Sequence, residues 1–147
     1  MLQVNTVECA QLVPDIPELS IIVPTFNEHD NVLLLLDKIE EALEGTTWEA
    51  IFVDDDSADG TPDVVIKRSR GDRRVRIIRR IGRRGLSSAV VEGILSTSTP
   101  YVAVIDADMQ HDERLLSQML VCLRSGEADM VVGTAGGLWD SGQLISF

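Results

Sequence analysis

Ile51-Phe-Val-Asp-Asp-Asp56 and Val102-Ala-Val-Ile-Asp-Ala-Asp108 are two short apolar runs that each stop in carboxylates. Runs of this length and β-branched content read as buried strands. In an open α/β sheet, ligands bind beyond the carboxyl ends of the strands. Two acidic clusters at two such ends make one site rich in hard oxygen ligands. That chemistry suits Mg²⁺ or a similar cation held by one or two carboxylates together with the phosphates of a bound molecule.

The flanking sequence repeats the strand and helix alternation. Leu19-Ser-Ile-Ile-Val-Pro24 is a first strand, closed by proline. Asp30 is placed to cap a helix running to about Leu43, with Val32, Leu35, Leu36, Ile39 and Leu43 on one face and Gly45 after its end. Trp48 to Val53 forms the second strand. Thr61-Pro62-Asp63 then opens a helix that ends near Gly71. Arg74 to Arg79 reads as a third strand, Ser87 to Ser96 as a helix, and Tyr101 to Ile105 as a fourth strand apolar enough for burial on both faces. Asp112 is expected to cap a helix through Arg124, ended by Gly126, before a fifth strand at Met130-Val-Val132. Alternation of this kind calls for a mainly parallel sheet flanked by helices, a Rossmann-like α/β domain. It occupies residues 19–135, between an N-terminal leader at 1–18 and an irregular tail at 136–147.

Composition narrows the function classes. The formal charge of −11 excludes a general nucleic-acid binder, which needs a basic face. Ten of the thirteen Lys and Arg residues fall between Lys67 and Arg84, a stretch that reads mostly as a solvated basic face. Cys9 and Cys122 suggest neither a disulfide framework nor zinc, so a reducing compartment is the default. Glu8, Asp15 and Glu18 with Pro14 and Pro17 break any signal peptide. No apolar run approaches the roughly 20 residues of a membrane helix. Contact with a membrane is therefore expected from its surface or through sequence outside this chain.

Four segments carry chemistry. Asp106-Ala-Asp108 offers two carboxylates toward a ligand, and Gln110 adds a neutral oxygen at the same spacing. A lone Asp-x-Asp is more often a loop acid that caps a helix. In Val53-Asp-Asp-Asp-Ser-Ala-Asp-Gly-Thr61, three adjacent acids after a buried strand repel one another unless a cation, a base edge or solvent compensates. Pro24-Thr-Phe-Asn-Glu28 supplies an aromatic ring for stacking at Phe26 and an acceptor at Glu28. Arg79-Arg-Ile-Gly-Arg-Arg-Gly85 opens a helix with guanidiniums, of which Arg83 and Arg84 are the candidate phosphate ligands. His29 and His111 read as exposed polar groups, and Cys122 as core.

Together, Ile22-Val-Pro-Thr-Phe-Asn-Glu28, Val53-Asp-Asp-Asp-Ser-Ala-Asp-Gly-Thr61, Arg83-Arg-Gly-Leu-Ser-Ser88 and Asp106-Ala-Asp-Met-Gln-His-Asp112 resemble the GT-A family 2 glycosyltransferases, and within them the dolichyl- or polyprenyl-phosphate mannosyltransferases. The resemblance covers residues 19 to 133. It implies a donor nucleotide sugar bound by Pro24, Phe26, Glu28, Val53, Asp55, Asp106, Ala107, Asp108 and Gln110. It also implies Mg²⁺ or Mn²⁺ on Asp106, Asp108 and Gln110, with Asp108 central to catalysis. GDP-mannose is the favoured donor and a UDP-sugar the alternative. The resemblance further implies a polyprenyl phosphate as acceptor and inversion at the anomeric centre, and the expected location is the cytoplasm, at the cytoplasmic face of a membrane. Two departures stand out. Ala135 in Gly133-Thr-Ala135 replaces an arginine common in the family, and the family's C-terminal acceptor part is expected to be absent. The competing readings are a non-catalytic nucleotide-binding or interaction chain, and a phospho-accepting signalling domain.

Overall fold

A computed structural model describes residues 16–134, 137–139 and 144–145. Strand β1 (Leu19–Thr25) is followed by α1 (Val32–Ala42), β2 (Trp48–Asp54), α2 (Thr61–Gly71) and β3 (Val75–Arg79). Helix α3 (Leu86–Leu95), β4 (Tyr101–Val104) and α4 (Leu115–Ser125) come next. The short strands β5 (Val132–Thr134), β6 (Gly137–Trp139) and β7 (Leu144–Ile145) complete the described elements.

Strands β1 to β4 form one parallel sheet in the order β3-β2-β1-β4. Side chains alternate across a strand, and the two inner strands use both faces. Leu19, Ile21 and Val23 of β1 and Trp48, Ala50 and Phe52 of β2 pack with α1, α2 and α4 through Leu35, Leu36, Ile39, Val65, Leu116 and Leu120. Ile22, Ile51 and Val53 face the other way and meet Ala89 of α3. Full burial of one such Leu, Ile or Phe side chain contributes about 1.5–3 kcal/mol. Helix α3 sits close against the sheet because residue 93 is glycine: a Cβ there would overlap the Ile22 side chain.

Several expectations are corrected. Asp30 does not cap α1; the N-cap position is Asn31, which makes no side-chain capping bond, and the Asp30 carboxylate pairs with His29 Nδ1 instead. Asp112 opens a turn ahead of α4, accepting from the Arg114 amide at 3.1 Å, and the N-cap position falls on Arg114. Strand β4 lies at the sheet edge with Val104 48% exposed, because among the described residues it pairs only with β1. The fifth strand starts at Val132 and does not join the parallel sheet. It pairs antiparallel with β6, and β6 with β7. Met130 and Val132 are exposed, so burial does not draw that segment into the sheet. The stretch taken as an irregular tail thus contains strands at 137–139 and 144–145. The first fifteen residues of the leader, with Cys9, and Ala135 lie outside the described residues.

Candidate functional site

From β1 the chain winds through β2 to β3, then crosses back past β1 to place β4 on its far side. The strand order therefore reverses between β1 and β4, and such a reversal opens a crevice at the carboxyl rim. Loops after β1, β2 and β4 border it. Strands lie about 4.8 Å apart, so the ends of β2 and β4 stand about 10 Å from each other across β1. Each loop holds one non-glycine residue with left-handed backbone, Asn27 (φ 59°), Asp56 (φ 59°) and Met109 (φ 62°), and no others occur among the described residues. Asn and Asp adopt this conformation readily, whereas for methionine it costs about 1 kcal/mol or more. Strain of this kind gathers at ligand sites.

The first two loops are laced together. Ser57 Oγ accepts from the Asn27 amide at 2.9 Å, and Asn27 Oδ1 from the Ala58 amide at 3.2 Å. Thr61 Oγ1 accepts from the Glu28 amide at 2.9 Å, and Asp59 Oδ2 from the His29 amide at 3.1 Å. Asp59 also takes the amide and hydroxyl of Thr61. Burial acts to raise the Asp59 carboxyl, but these hydrogen bonds outweigh it and hold its pKa below the ordinary value. The Glu28 carboxylate is steadied by Asn31 Nδ2 at 2.7 Å.

The acidic triplet is neutralised from within. Asp54 is fully buried and accepts from Thr25 Oγ1, Ser57 Oγ and the Ser57 amide at 3.2, 2.6 and 2.9 Å. Asp55 Oδ2 accepts from the Gly85 amide at 2.7 Å, and its Oδ1 lies 3.0 Å from Arg80 Nη1. Asp56 pairs with Arg79 at 3.0 Å. The source of both arginines is the register, which sets Asp54 opposite Arg79. A buried arginine corrects the view of Lys67–Arg84 as a solvated face: Arg80 is 2% exposed. Arg74 also departs from it, lying over the Trp48 ring at 4.3 Å and bonding Asp72.

Phe26 is 42% exposed and the Arg84 guanidinium lies 4.2 Å from its ring centroid. Arg83 pairs with Glu92 at 3.0 Å. Pro24 is half-buried at the end of β1, level with Val53. The Val53 side chain is fully buried against Ile22, Ile51 and Ala89, so only its backbone borders the rim.

Beyond β4 the pattern is open. Ala107 packs into the core, while Asp106 and Asp108 on either side of it stay accessible. Asp108 Oδ1 accepts from the Gln110 amide at 3.0 Å, and Asp106 Oδ2 lies 3.5 Å from His111 Nε2. His111 is thus a neighbour of the site, not an isolated surface group. No Lys or Arg pairs with either aspartate among the described residues, nor do three His, Cys, Asp or Glu side chains there gather into a metal cage. Two carboxylates with an amide oxygen nearby fit a hard cation that completes its shell with phosphate oxygens and water. A cleft of about 410 Å³ adjoins this loop, lined by Lys38, Glu41 and Gln110–Arg114. Glu113 in it is buried, pairs with Lys38 at 3.3 Å, and keeps Oε1 without a hydrogen bond.

Pro24, Phe26, Glu28 and Asp55 therefore share the β1–β2 side of the rim, and Asp106, Asp108 and Gln110 lie together on the β4 side. The roles of Arg80 and Thr61 escaped the sequence reading. The available signal for Arg80 was its place just past a strand next to β2.

Comparison with known proteins accords with this geometry. The description of glycosyl transferase family 2 matches residues 20–137. Dolichol-phosphate mannosyltransferase of Pyrococcus furiosus is 36% identical over 117 residues, 80% of this chain and 33% of the relative. The Saccharomyces cerevisiae protein of the same name is 35% identical over 109 residues, 72% of this chain and 41% of the relative. The chain thus spans between a third and a half of these relatives' length. Among solved structures, a mannosyltransferase from Pyrobaculum calidifontis in complex with GDP-Man and Mn²⁺ superposes with a TM-score of 0.59 at 25% identity, covering 71% of this chain and 32% of that one. Glucosyl-3-phosphoglycerate synthase of Mycobacterium tuberculosis, at 22% identity and a TM-score of 0.63 over 78% of this chain and 42% of that one, shares the fold. The sheet and helices are those of the Rossmann-like GT-A fold, and the chain belongs to glycosyl transferase family 2.

Proposed function

We propose that this chain forms the donor-binding part of an inverting, metal-dependent glycosyltransferase that moves mannose from GDP-mannose to a polyprenyl phosphate. The observation that carries the reading is the pair of accessible aspartates, Asp106 and Asp108, without a basic partner among the described residues, at the reversal of a parallel sheet. The dolichol-phosphate mannosyltransferase relatives and the GDP-Man and Mn²⁺ complex of the Pyrobaculum protein support the choice of donor, metal and acceptor.

In this reading the base and ribose lie on the β1–β2 side, against Pro24, Phe26, Glu28, the Val53 backbone and Asp55. The diphosphate lies on the β4 side. Asp106, Asp108 and Gln110 would hold Mg²⁺ or Mn²⁺ there, which would supply positive charge against the leaving diphosphate. An acceptor phosphate oxygen attacks the anomeric carbon, its bond to the sugar forms as the sugar–diphosphate bond breaks, and GDP departs with inversion. The acceptor oxygen is already anionic, so no strong general base is required. Positioning and charge stabilisation then supply catalysis. No helix among the described residues is long and apolar enough to cross a membrane, and contact with the lipid acceptor is proposed at the membrane surface. The phospho-acceptor alternative loses support, because Asp54 and Asp55 at the end of β2 are buried on internal partners.

Titration calorimetry of the chain with GDP-mannose and UDP-glucose, with and without Mn²⁺, tests the proposal. Mn²⁺-dependent heat with GDP-mannose is the expected result. Binding of neither nucleotide sugar in Mn²⁺ overturns it, and tighter binding of UDP-glucose reassigns the donor.

A further inference from the structure

The buried guanidinium of Arg80 joins three parts of the molecule. Its backbone amide donates to Asp54 O at 2.8 Å, continuing the β2–β3 ladder past the end of the sheet. Nη1 donates to Gly85 O at 3.1 Å and lies 3.0 Å from Asp55 Oδ1. Nη2 donates to Ser88 Oγ at 2.6 Å, and Nε lies 3.4 Å from Glu92 Oε2. Gly85 in turn donates its amide to Asp55 Oδ2 at 2.7 Å, closing a ring of contacts from Asp55 through Arg80 to Gly85 and back. Gly85 has φ 138°, a conformation an L side chain rarely adopts, so the ring requires glycine there.

Two atoms in this ring make no hydrogen bond, Asp55 Oδ1 and Arg80 Nε. A buried ion pair that leaves polar atoms unsatisfied is poor as a source of stability, and a hydrophobic replacement often does as well. Its use lies in fixing one geometry. A planar fork can reach Gly85 O, Asp55 and Ser88 Oγ together, which a single ammonium cannot. The same loop carries Arg84 onto Phe26.

We infer that Arg80 is a positioning residue: it locks Asp55 and the first turn of α3 into one wall that receives the base end of the nucleotide donor, without itself binding the diphosphate. This rests on the donor-binding reading above and adds to it the residue that shapes the base subsite. Arg80 lies on the β2–β3 side of the sheet, away from the Asp106–Gln110 loop, so its loss separates base recognition from metal and phosphate binding.

The test is calorimetry on the whole chain with GDP and with inorganic pyrophosphate, each in Mn²⁺, for wild type, R80M, R80K, D55N and the D55N/R80M double variant. R80M is expected to weaken GDP at least about tenfold, the loss expected for a charge-assisted hydrogen bond, while pyrophosphate stays within roughly twofold. Because the two residues act as a unit, the double variant should fall within about threefold of the weaker single variant instead of summing the two losses. R80K, which keeps the charge and loses the fork, should lie between wild type and R80M, and it serves alone if R80M does not fold by circular dichroism. GDP affinity unchanged in a folded R80M or in R80K overturns the inference. Parallel loss of GDP and pyrophosphate overturns it as well, since that pattern belongs to general loosening of the fold. A wild-type chain that binds pyrophosphate–Mn²⁺ but no nucleotide, or nothing at all, defeats the donor reading itself and the inference with it, a pattern distinct from any seen only in the Arg80 variants.

Discussion

At the end of β2, each aspartate of the triplet meets a group that the protein supplies. Asp54 takes two hydroxyls and an amide, Asp55 takes Arg80 and the Gly85 amide, and Asp56 takes Arg79. At the end of β4, Asp106 and Asp108 find among the described residues only a histidine and an amide of their own loop. The sequences are alike, and the difference comes from place in the sheet. Strand β2 is an inner strand, and its neighbour β3 ends in Arg79 opposite Asp54, with Arg80 following it and bonded through its amide to Asp54 O. Strand β4 is an edge with no such neighbour among the described residues. Buried carboxylates such as Asp54 and Asp55 must be paired, whereas Asp106 and Asp108 beyond the edge stay accessible without a Lys or Arg partner among the described residues. One acidic turn is therefore closed on the protein itself, and the other is the one to which the proposed ion site is assigned.

The largest effects should separate the two turns cleanly. Asp54→Ala strands the Thr25 and Ser57 donors in a buried place and should cost about 3 kcal/mol. In a thermal melt that is a fall of about 10 °C for a domain of this size. Asp108→Ala should leave the melt within about 2 °C, since surface changes rarely exceed 0.5 kcal/mol. Equal shifts in the two variants would erase the distinction between wall and ion site. The next effect is the mirror image. Asp108→Ala should weaken Mn²⁺-dependent GDP binding at least about 100-fold, beyond what loss of an outer partner of a metal costs. Retained affinity in Mn²⁺ would remove Asp108 from the metal set.

Which of these roles could be read from the chain depends on the range of the signal. Strand alternation is local, so β1 to β4 and the helices between them were legible to within a few residues from Ile21, Ile51 and Val102 outward. Partnering across strands is not local. The run from Lys67 to Arg84 looks uniformly basic, and only the β2–β3 register reveals that Arg79 and Arg80 face the acids while Arg83 stays outside. Two helix starts failed for a related reason: Asp30 and Asp112 have suitable side chains, but the turn before α1 is closed by Asn31 on Glu28, and Asp112 takes the Arg114 amide in a turn that ends before α4 begins. The fifth strand was placed two residues early and in the wrong sheet, because three apolar residues do not specify a partner. The candidate site residues, read from motif and strand position together, fall in the loops after β1, β2 and β4; the backbone strain at Met109 left no trace in its residue type.

A smaller effect tests the exposed member of the triplet. Asp56 and Arg79 are 37% and 49% exposed, so Asp56→Asn should change stability by no more than about 0.5 kcal/mol. Asp56→Ala should cost about 1 kcal/mol more, because alanine tolerates the left-handed backbone less well than asparagine. Urea unfolding distinguishes the two. If the variants are equally stable, the turn's conformation does not depend on the residue at its corner.

The smallest effect concerns Asp59, the acid that fastens the β2 turn to the loop after β1. Its folded pKa is lowered, chiefly by the Thr61 hydroxyl and nearby amides acting against burial. The unfolded chain, with a carboxyl near pKa 3.9, binds a proton first as the pH falls. The stabilisation is therefore complete above about pH 4 and disappears as the pH drops through the folded value. The group is exposed, so the amount is a few tenths of a kcal/mol. Wild type and Asp59→Asn should accordingly differ in melting temperature at pH 6 and draw together as the pH falls below about 4. A gap that does not narrow at all as acid is added would place the loss in the turn's geometry and not in its charge, and the lacing of the two loops would then depend on shape alone.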